Sequence, residues 1–305
     1  MNLLTRRSTL ILPVNVPRFI EKAHLRGADA IMLDLEDAVP AQEKGPARRL
    51  VREAIPQVAR GGAEVFVRVN HEAELLADDV EASVHPGLDG ICFPKAESAE
   101  QVQRLDAQIL GLERRRGLPL GRIEVYPLIE SPRGLLNLEG IATASPRVKS
   151  ITLGPEDYCL TLGVEPSADG VELLYGVSKV VTVCMAYGLT PLGLLGSIAG
   201  FRDLEAFEQS AARARRLGCV GASCIHPDQV DVLHRVFSPA PAALARARAA
   251  TAAFEAGLKR GTASVNLDGA MVDIPVYRRA THLLERAAAI AAVEQRKTEA
   301  VARCR

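Results

Sequence analysis

Short apolar runs, many of them rich in β-branched residues, recur along the chain. Each gives way to a polar or Gly/Pro break and then to a helical pattern. The runs predict strands over Thr9–Leu12, Ala30–Leu35, Glu64–Val69, Gly90–Phe93, Glu124–Ile129, Val148–Leu153, Leu192–Gly196 and Gly221–Ile225. Between them the spacing of apolar positions predicts amphipathic helices, among them Glu43–Ala59, Ala99–Arg115, Glu172–Tyr187 and Asp203–Leu217. This alternation means a parallel sheet covered by helices. Eight units in about 225 residues match a TIM (β/α)8 barrel better than an open doubly wound sheet. No G-x-G-x-x-G follows a strand and no G-x-x-x-x-G-K-[ST] is present, so the dinucleotide and P-loop readings lose their support.

The pattern changes after Phe237. Pro239 and Pro241 interrupt the chain, and an Ala/Arg-rich helix is predicted over Ala242–Lys259. A Gly- and Asp-punctuated segment, "GTASVNLDGAMVDIPVYRRA", leads to a final helix ending near Glu299. The division expected is a barrel over residues 1–238 and a C-terminal helical extension over 239–305. The extension lies outside the eight units. It either packs on its own barrel or reaches a neighbouring subunit.

Composition narrows the function classes. The chain has 305 residues, 48% of them apolar, enough for a full core. Lys+Arg and Asp+Glu each total 37, so no general basic field exists for nucleic acid. None of the six cysteines forms a C-x-x-C pair, and Cys219 and Cys224 flank an apolar run as core thiols do. A reducing, cytoplasmic location is expected. The N-terminal "MNLLTRRSTLILPV" reads as a first strand rather than a signal peptide. No apolar stretch approaches the roughly 20 residues of a membrane span.

Barrel chemistry gathers where strands finish. The polar residues past the predicted strands are Asn15; Asp34, Glu36 and Asp37; Arg68 and Asn70; Lys95; Glu130; Glu156 and Asp157; Ser197; and His226. Three carboxylates in "IMLDLEDAVP" end a strand that is otherwise apolar, and carboxylates resist burial unless paired or bound to a cation. Glu130 and Asp157 follow successive strands, and neighbouring strands lie about 4.8 Å apart, so the two can share one ion. Two carboxylates with places left for water and substrate suit Mg²⁺. The other reading makes Asp157 an N-cap and Glu130 a partner of Arg133 or Lys95. Without H-E-x-x-H or a Cys/His cluster, zinc is not indicated. Arg68 suits a substrate carboxylate or oxyanion, and equally a pairing with the Asp34–Asp37 segment. Lys95 reads as a charge partner or a Schiff-base lysine, and His226 as structural.

Seven stretches resemble the HpcH/HpaI aldolase/citrate lyase family, specifically its citrate lyase beta-subunit-like group with malyl-CoA, citramalyl-CoA and citryl-CoA lyases. They are "PRFIEKAHLRGADAIMLDLEDAV", "VFVRVN", "GLDGICFPKAESAEQV", "PLIESPRGLLNLEGIA", "ITLGPEDY", "GCVGASCIHPDQV" and "DGAMVDIPV". The resemblance implies a TIM barrel in trimers or hexamers, with Mg²⁺ on Glu130 and Asp157 and no organic cofactor. It implies Arg68 as the enolate-binding arginine, with Asn15, Lys95 and Glu130 also toward substrate. Asp34, Glu36 and Asp37 would hold metal-bound waters and orient Arg68, with Asp37 a catalytic residue beside Arg68. Asp273 in "MVDIP" would be the acid/base, contributed by a neighbouring subunit.

The implied activity is Mg²⁺-dependent cleavage or condensation of a 3-hydroxyacyl-CoA, giving an acyl-CoA and a 2-oxo acid. Two alternatives stand beside it: a metal-dependent aldolase for a free hydroxy-oxo acid, and a non-catalytic subunit of a larger assembly. Small molecules are the expected partners, not nucleic acid or membrane. The chain departs from the family pattern at Val14 in "PVNVP", where a glycine is common. It departs again at Val177, in the place of an arginine, and in the apolar "PLGLLGSIAGF".

Overall fold

The computed structural model describes residues 4–304. They form two compact units, one of residues 4–237 with 297–304, the other Ser238–Arg296. The first unit holds eight parallel strands: β1 (Ser8–Pro13), β2 (Ala30–Asp34), β3 (Glu64–Arg68), β4 (Gly90–Phe93), β5 (Glu124–Ile129), β6 (Ser150–Leu153), β7 (Thr190–Leu192) and β8 (Ala222–Cys224). Their order is β7-β6-β5-β4-β3-β2-β1-β8. Gly193 N–H donates to Gly221 O at 2.9 Å and Val220 N–H to Pro191 O at 3.1 Å, bringing the two end strands together. The implied TIM barrel is found.

Side chains alternate across each strand, and the register sorts them into two cores. Ala30, Met32, Phe66, Cys92, Tyr126 and Leu192 pack inside the barrel. Their outward neighbours, such as Ile31, Leu33, Val65, Val67, Ile91, Val125 and Ile151, pack in the large core that the helices share. Gly90 lets Phe66 lie across the interior, since a Cβ there would meet the Phe66 ring at 2.3 Å. The N-terminal end of the barrel is plugged by Arg6, which is 1% exposed. It reaches Glu64 at 2.7 Å, Glu124 at 2.9 Å and Ser150 at 3.0 Å, and its guanidinium lies 4.3 Å from the Phe66 ring centre.

The seventh strand differs from expectation. It runs Thr190–Leu192 rather than Leu192–Gly196. Leu194 and Leu195 are apolar because they are buried after the strand, not because they extend the ladder. The other predicted strands overlap those found, and the helix over Ala99–Arg116 starts at a capping box of Ser98 and Gln101.

The second unit contains the helix Pro241–Lys259, a two-stranded hairpin of β9 (Val265–Leu267) and β10 (Ala270–Val272), and most of the helix Ile274–Ala302. The hairpin falls in the Gly- and Asp-punctuated segment between the two expected helices, where no strand is predicted. Asp268 and Gly269 both have positive φ, +52° and +82°, as a tight type I′ turn needs. Phe254 stacks on Tyr277 at 4.7 Å within a small core that includes Val272 and Ala280. The last turns of the final helix belong to the barrel unit, where Lys297 Nζ donates to Gly27 O and to Asp29, both at 2.7 Å. No helix among the described residues is long and apolar enough to cross a membrane.

The Arg6 plug has a testable consequence. Arg6→Met leaves Glu124 buried without its cation, and removing one partner of such a pair costs about 3–5 kcal/mol. A urea titration should show a clearly lower midpoint; an unchanged midpoint would mean the network contributes nothing net.

Candidate active site

The parallel register sets Asp34, at the end of β2, directly beside Arg68, at the end of β3. The guanidinium forks onto the carboxylate, Nε to Oδ1 at 2.7 Å and Nη2 to Oδ2 at 2.6 Å. Asp34 is fully buried and also accepts from the backbone N–H groups of Glu36 and Ala38. Its role is to hold Arg68 and shape the turn. The remaining Arg68 nitrogen, Nη1, lies 3.1 Å from Glu36 and 3.5 Å from Asp37. Asp37 is half exposed at the cavity mouth. The turn is bracketed from behind by Lys44, whose ammonium donates to Leu35 O, Glu36 O and the Asn70 side chain. Nothing in the local sequence marked Lys44 for this.

Lys95 joins the next two acids. Its φ is +50°, left-handed and uncommon for a side chain of this size. In that conformation its N–H donates to Glu130 Oε2 and its ammonium to Glu36 Oε1, each at 2.9 Å. Desolvation pulls the lysine pKa down, but the Glu36 hydrogen bond and charge outweigh it and hold it above the ordinary value. This is the charge-partner reading of Lys95; a charged amine is no Schiff-base nucleophile.

Glu130 follows β5 and is 4% exposed. It takes the backbone of Lys95, not the ammonium and not Arg133. Burial first, and then the charge of Glu36, push its pKa up to about 8. Burial likewise raises Glu36 to about 7, against the pull of Arg68 and Lys95. Gly154 allows this packing, since a Cβ there would come 2.6 Å from Glu130 Cγ. Gly154, not Asp157, is the N-cap of the helix Pro155–Leu162, so Asp157 sits in the first turn, without a capping hydrogen bond. Its neighbour Glu156 accepts from Ser197.

Arg68, Glu130, Asp157 and Asp37 line one cavity of about 210 Å³, which continues down the barrel to Met32, Cys92 and Tyr126. The sequence reading missed Tyr126 and Thr152, because inward positions of a strand carry no signal apart from alternation. Asn15 is not brought to the cavity wall; its amide is taken by Glu43. Lys95 acts from behind the wall. His226 stacks on Phe201 at 5.3 Å, in keeping with its structural reading. Val14 and Val177 are buried in the core. Asp273 lies in the second unit and caps the final helix, its Oδ1 accepting from Val276 N–H at 3.2 Å.

The HpcH/HpaI aldolase/citrate lyase family model matches residues 7–227. The citrate lyase beta subunit of Escherichia coli K12 is 36% identical over 284 residues, covering 93% of each chain. The L-malyl-CoA/beta-methylmalyl-CoA lyase of Rhodobacter capsulatus is 33% identical, covering 92% of this chain and 94% of that protein. Among solved structures, CitE from Mycobacterium tuberculosis, in complex with magnesium, acetoacetate and coenzyme A, is similar with a TM-score of 0.72. It is 28% identical, over 92% of this chain and 97% of that one. Matched across its barrel and along nearly all of these relatives, the chain belongs to the HpcH/HpaI aldolase/citrate lyase family.

Proposed function

We propose that the protein is a Mg²⁺-dependent carbon–carbon lyase. It cleaves a 3-hydroxyacyl-CoA to an acyl-CoA and a 2-oxo acid, or runs the reverse condensation. The observation that carries this reading is a pair of carboxylates, buried Glu130 and Asp157, after successive strands on one cavity that Arg68 also lines. Relatives named as citrate lyase beta subunits and malyl-CoA lyases support the reaction class, and solved relatives crystallised with magnesium support the ion. The donor set fits a hard divalent cation: two carboxylates at successive strand ends, one of them short of compensating charge. Glu130 and Asp157 would hold it. When bound, Mg²⁺ polarises a 2-oxo carbonyl and neutralises the chelating carboxylate.

The chain's own groups do the rest. Cleavage removes the proton of the 3-hydroxyl. The electrons of the breaking carbon–carbon bond pass to the α-carbon of the thioester, as an enolate that then takes up a proton. Arg68, fixed by Asp34, presents Nη1 to the anionic oxygen without reorganising. Glu36 and Asp37 orient water at the mouth. Asp273, brought by a neighbouring copy in a homotrimer or hexamer as the family resemblance implies, takes up the 3-hydroxyl proton in cleavage and returns it to the α-carbon of the enolate. The five buried free thiols, Cys92, Cys159, Cys184, Cys219 and Cys224, support a reducing, cytoplasmic setting.

The defining test offers malyl-CoA, citramalyl-CoA and citryl-CoA with Mg²⁺ and traps the released 2-oxo acid. EDTA-sensitive release is expected. Release of none, with pyruvate exchanging deuterium in the absence of any CoA compound, would make the protein a free-acid aldolase.

Glu130→Gln should weaken Mg²⁺ binding by about a hundredfold in calorimetry, as expected for loss of one of two charged ligands. Binding within threefold of the parent would move the ion elsewhere.

The raised pKa predicts a pH dependence. Between the ordinary 4.5 and about 8, metal-free folded chain keeps a proton on Glu130 that the unfolded chain has lost. Stability from this group is therefore present at the acid end of the window and is lost as pH rises through about 8. Glu36 acts in the same direction, with Asp157, Asp37, Arg68 and Lys95 facing the pair. Thermal melts in EDTA should fall across this window, with a shallower fall in Glu130→Gln. Apparent Mg²⁺ affinity should drop about tenfold per pH unit below the Glu130 pKa, because the ion displaces a proton. A flat profile in both measurements would show that Glu130 is ionised throughout.

A further inference from the structure

The cavity does not stop at the carboxylates. Glu130, Leu128 and Tyr126 alternate inward along the same stretch of chain, so Tyr126 is the second inward position below the Glu130 carboxylate. Below the charged mouth the walls are Ile11, Met32 and Leu128, and the polar groups are the Tyr126, Thr152 and Ser223 hydroxyls. Tyr126 is 1% exposed and its hydroxyl has no hydrogen-bond partner among the described residues. The Thr152 and Ser223 hydroxyls are its nearest polar neighbours and stand outside hydrogen-bond geometry. A buried hydroxyl left unsatisfied is uncommon and costs stability unless a ligand completes it.

The charge at this depth is equally informative. Arg6 lies beneath, 5.9 Å from the Tyr126 ring centre, yet its donors go to Glu64, Glu124 and Ser150. Arg68 sits at the mouth, forked onto Asp34, with its remaining nitrogen at the level of Glu36 and Asp37 rather than in the well. Among the described residues, the well between them is lined by apolar side chains and neutral hydroxyls, with no cation to spare for a second carboxylate.

We infer that this well receives the side chain of the 2-oxo acid, and that Tyr126 selects a short, uncharged substituent ending in a hydrogen-bonding group, such as a hydroxyl, over a terminal carboxylate. The inference rests on the lyase reading, which supplies a 2-oxo acid at the mouth. A carboxylate driven into the well would be buried without a counter-ion, and that desolvation is the source of discrimination. A hydroxyl would complete the Tyr126 bond, and a site built around a hydrogen bond rejects ligands that lack it.

The test is calorimetric binding to the full chain in Mg²⁺ of pyruvate, 2-oxopentanoate, 4-hydroxy-2-oxobutyrate and 2-oxoglutarate. The last is length-matched to 2-oxopentanoate but carries the second carboxylate. 2-Oxopentanoate should bind at least about tenfold tighter than 2-oxoglutarate. Tyr126→Phe should weaken the hydroxylated acid about tenfold and leave pyruvate and 2-oxopentanoate within twofold. Ser223→Ala, a milder change in the same well, should weaken the hydroxylated acid less. Equal or tighter binding of 2-oxoglutarate, or a Tyr126→Phe effect that is absent or uniform across the series, would overturn the inference and leave the lyase reading standing. Binding of no 2-oxo acid, with Mg²⁺ still bound, would overturn both.

Discussion

The buried pair of Asp34 and Arg68 is the constraint on which the mouth of the barrel depends. Two adjacent strands end in opposite charges, and the fork geometry leaves the guanidinium one way to point. A buried pair of this kind is not strong support for stability in itself, because desolvation offsets most of the attraction. Its value is orientation. With two nitrogens committed to Asp34, Nη1 is held toward Glu36, Asp37 and the cavity. The Asp34 carboxylate meanwhile shapes the turn that carries Glu36, so the position of one acid follows from the pairing of another.

The rest of the mouth is a charge imbalance held in place. Five acids, Asp34, Glu36, Asp37, Glu130 and Asp157, face two bases, Arg68 and Lys95. Asp34 takes most of Arg68, and Lys95 is spent mainly on Glu36. Glu130 is left with a backbone N–H for support, and burial pushes its pKa up. The left-handed conformation of Lys95 and the glycine at position 154 bring this about. One aims a donor at Glu130, and the other lets the carboxylate close onto the next strand. Such strain is worth keeping where an arrangement is needed that a relaxed chain would not adopt.

The barrel is legible because its alternation of buried strand and amphipathic helix is written in residue type, and seven of the eight strands fall on the predicted apolar runs. The seventh was misplaced since Leu194 and Leu195 are as buried as strand residues while lying beyond the strand. The hairpin in the extension was missed although its Asp268–Gly269 turn is a strong signal, because its strands are only three residues each. The rim residues Asp34, Arg68, Glu130 and Asp157 could be named from their places after strands. Which acid would be neutralised and which left in deficit could not, because that depends on the Lys95 backbone, the Lys44 bracket and Gly154. Asn15 had the right place in sequence and the wrong partner, Glu43.

The two ends of the barrel solve the same problem in opposite ways. At the N-terminal end Arg6 faces Glu64 and Glu124 across the interior, and each of these three charges has a partner at 2.7–2.9 Å. That network is complete and leaves nothing for a ligand to do. At the C-terminal end the acids outnumber their cations, and a short way below them Tyr126 keeps a hydroxyl without a hydrogen bond among the described residues. A fold that can satisfy a buried charge cluster at one end has no structural reason to leave one unsatisfied at the other. The deficits are thus complementary to what binds: positive charge at the mouth, and a small neutral group with one hydrogen bond to exchange in the well. The same strand, β5 with its continuation at Glu130, carries Glu124, Tyr126 and Glu130 in turn, so one stretch of alternating side chains runs from plug to well to mouth.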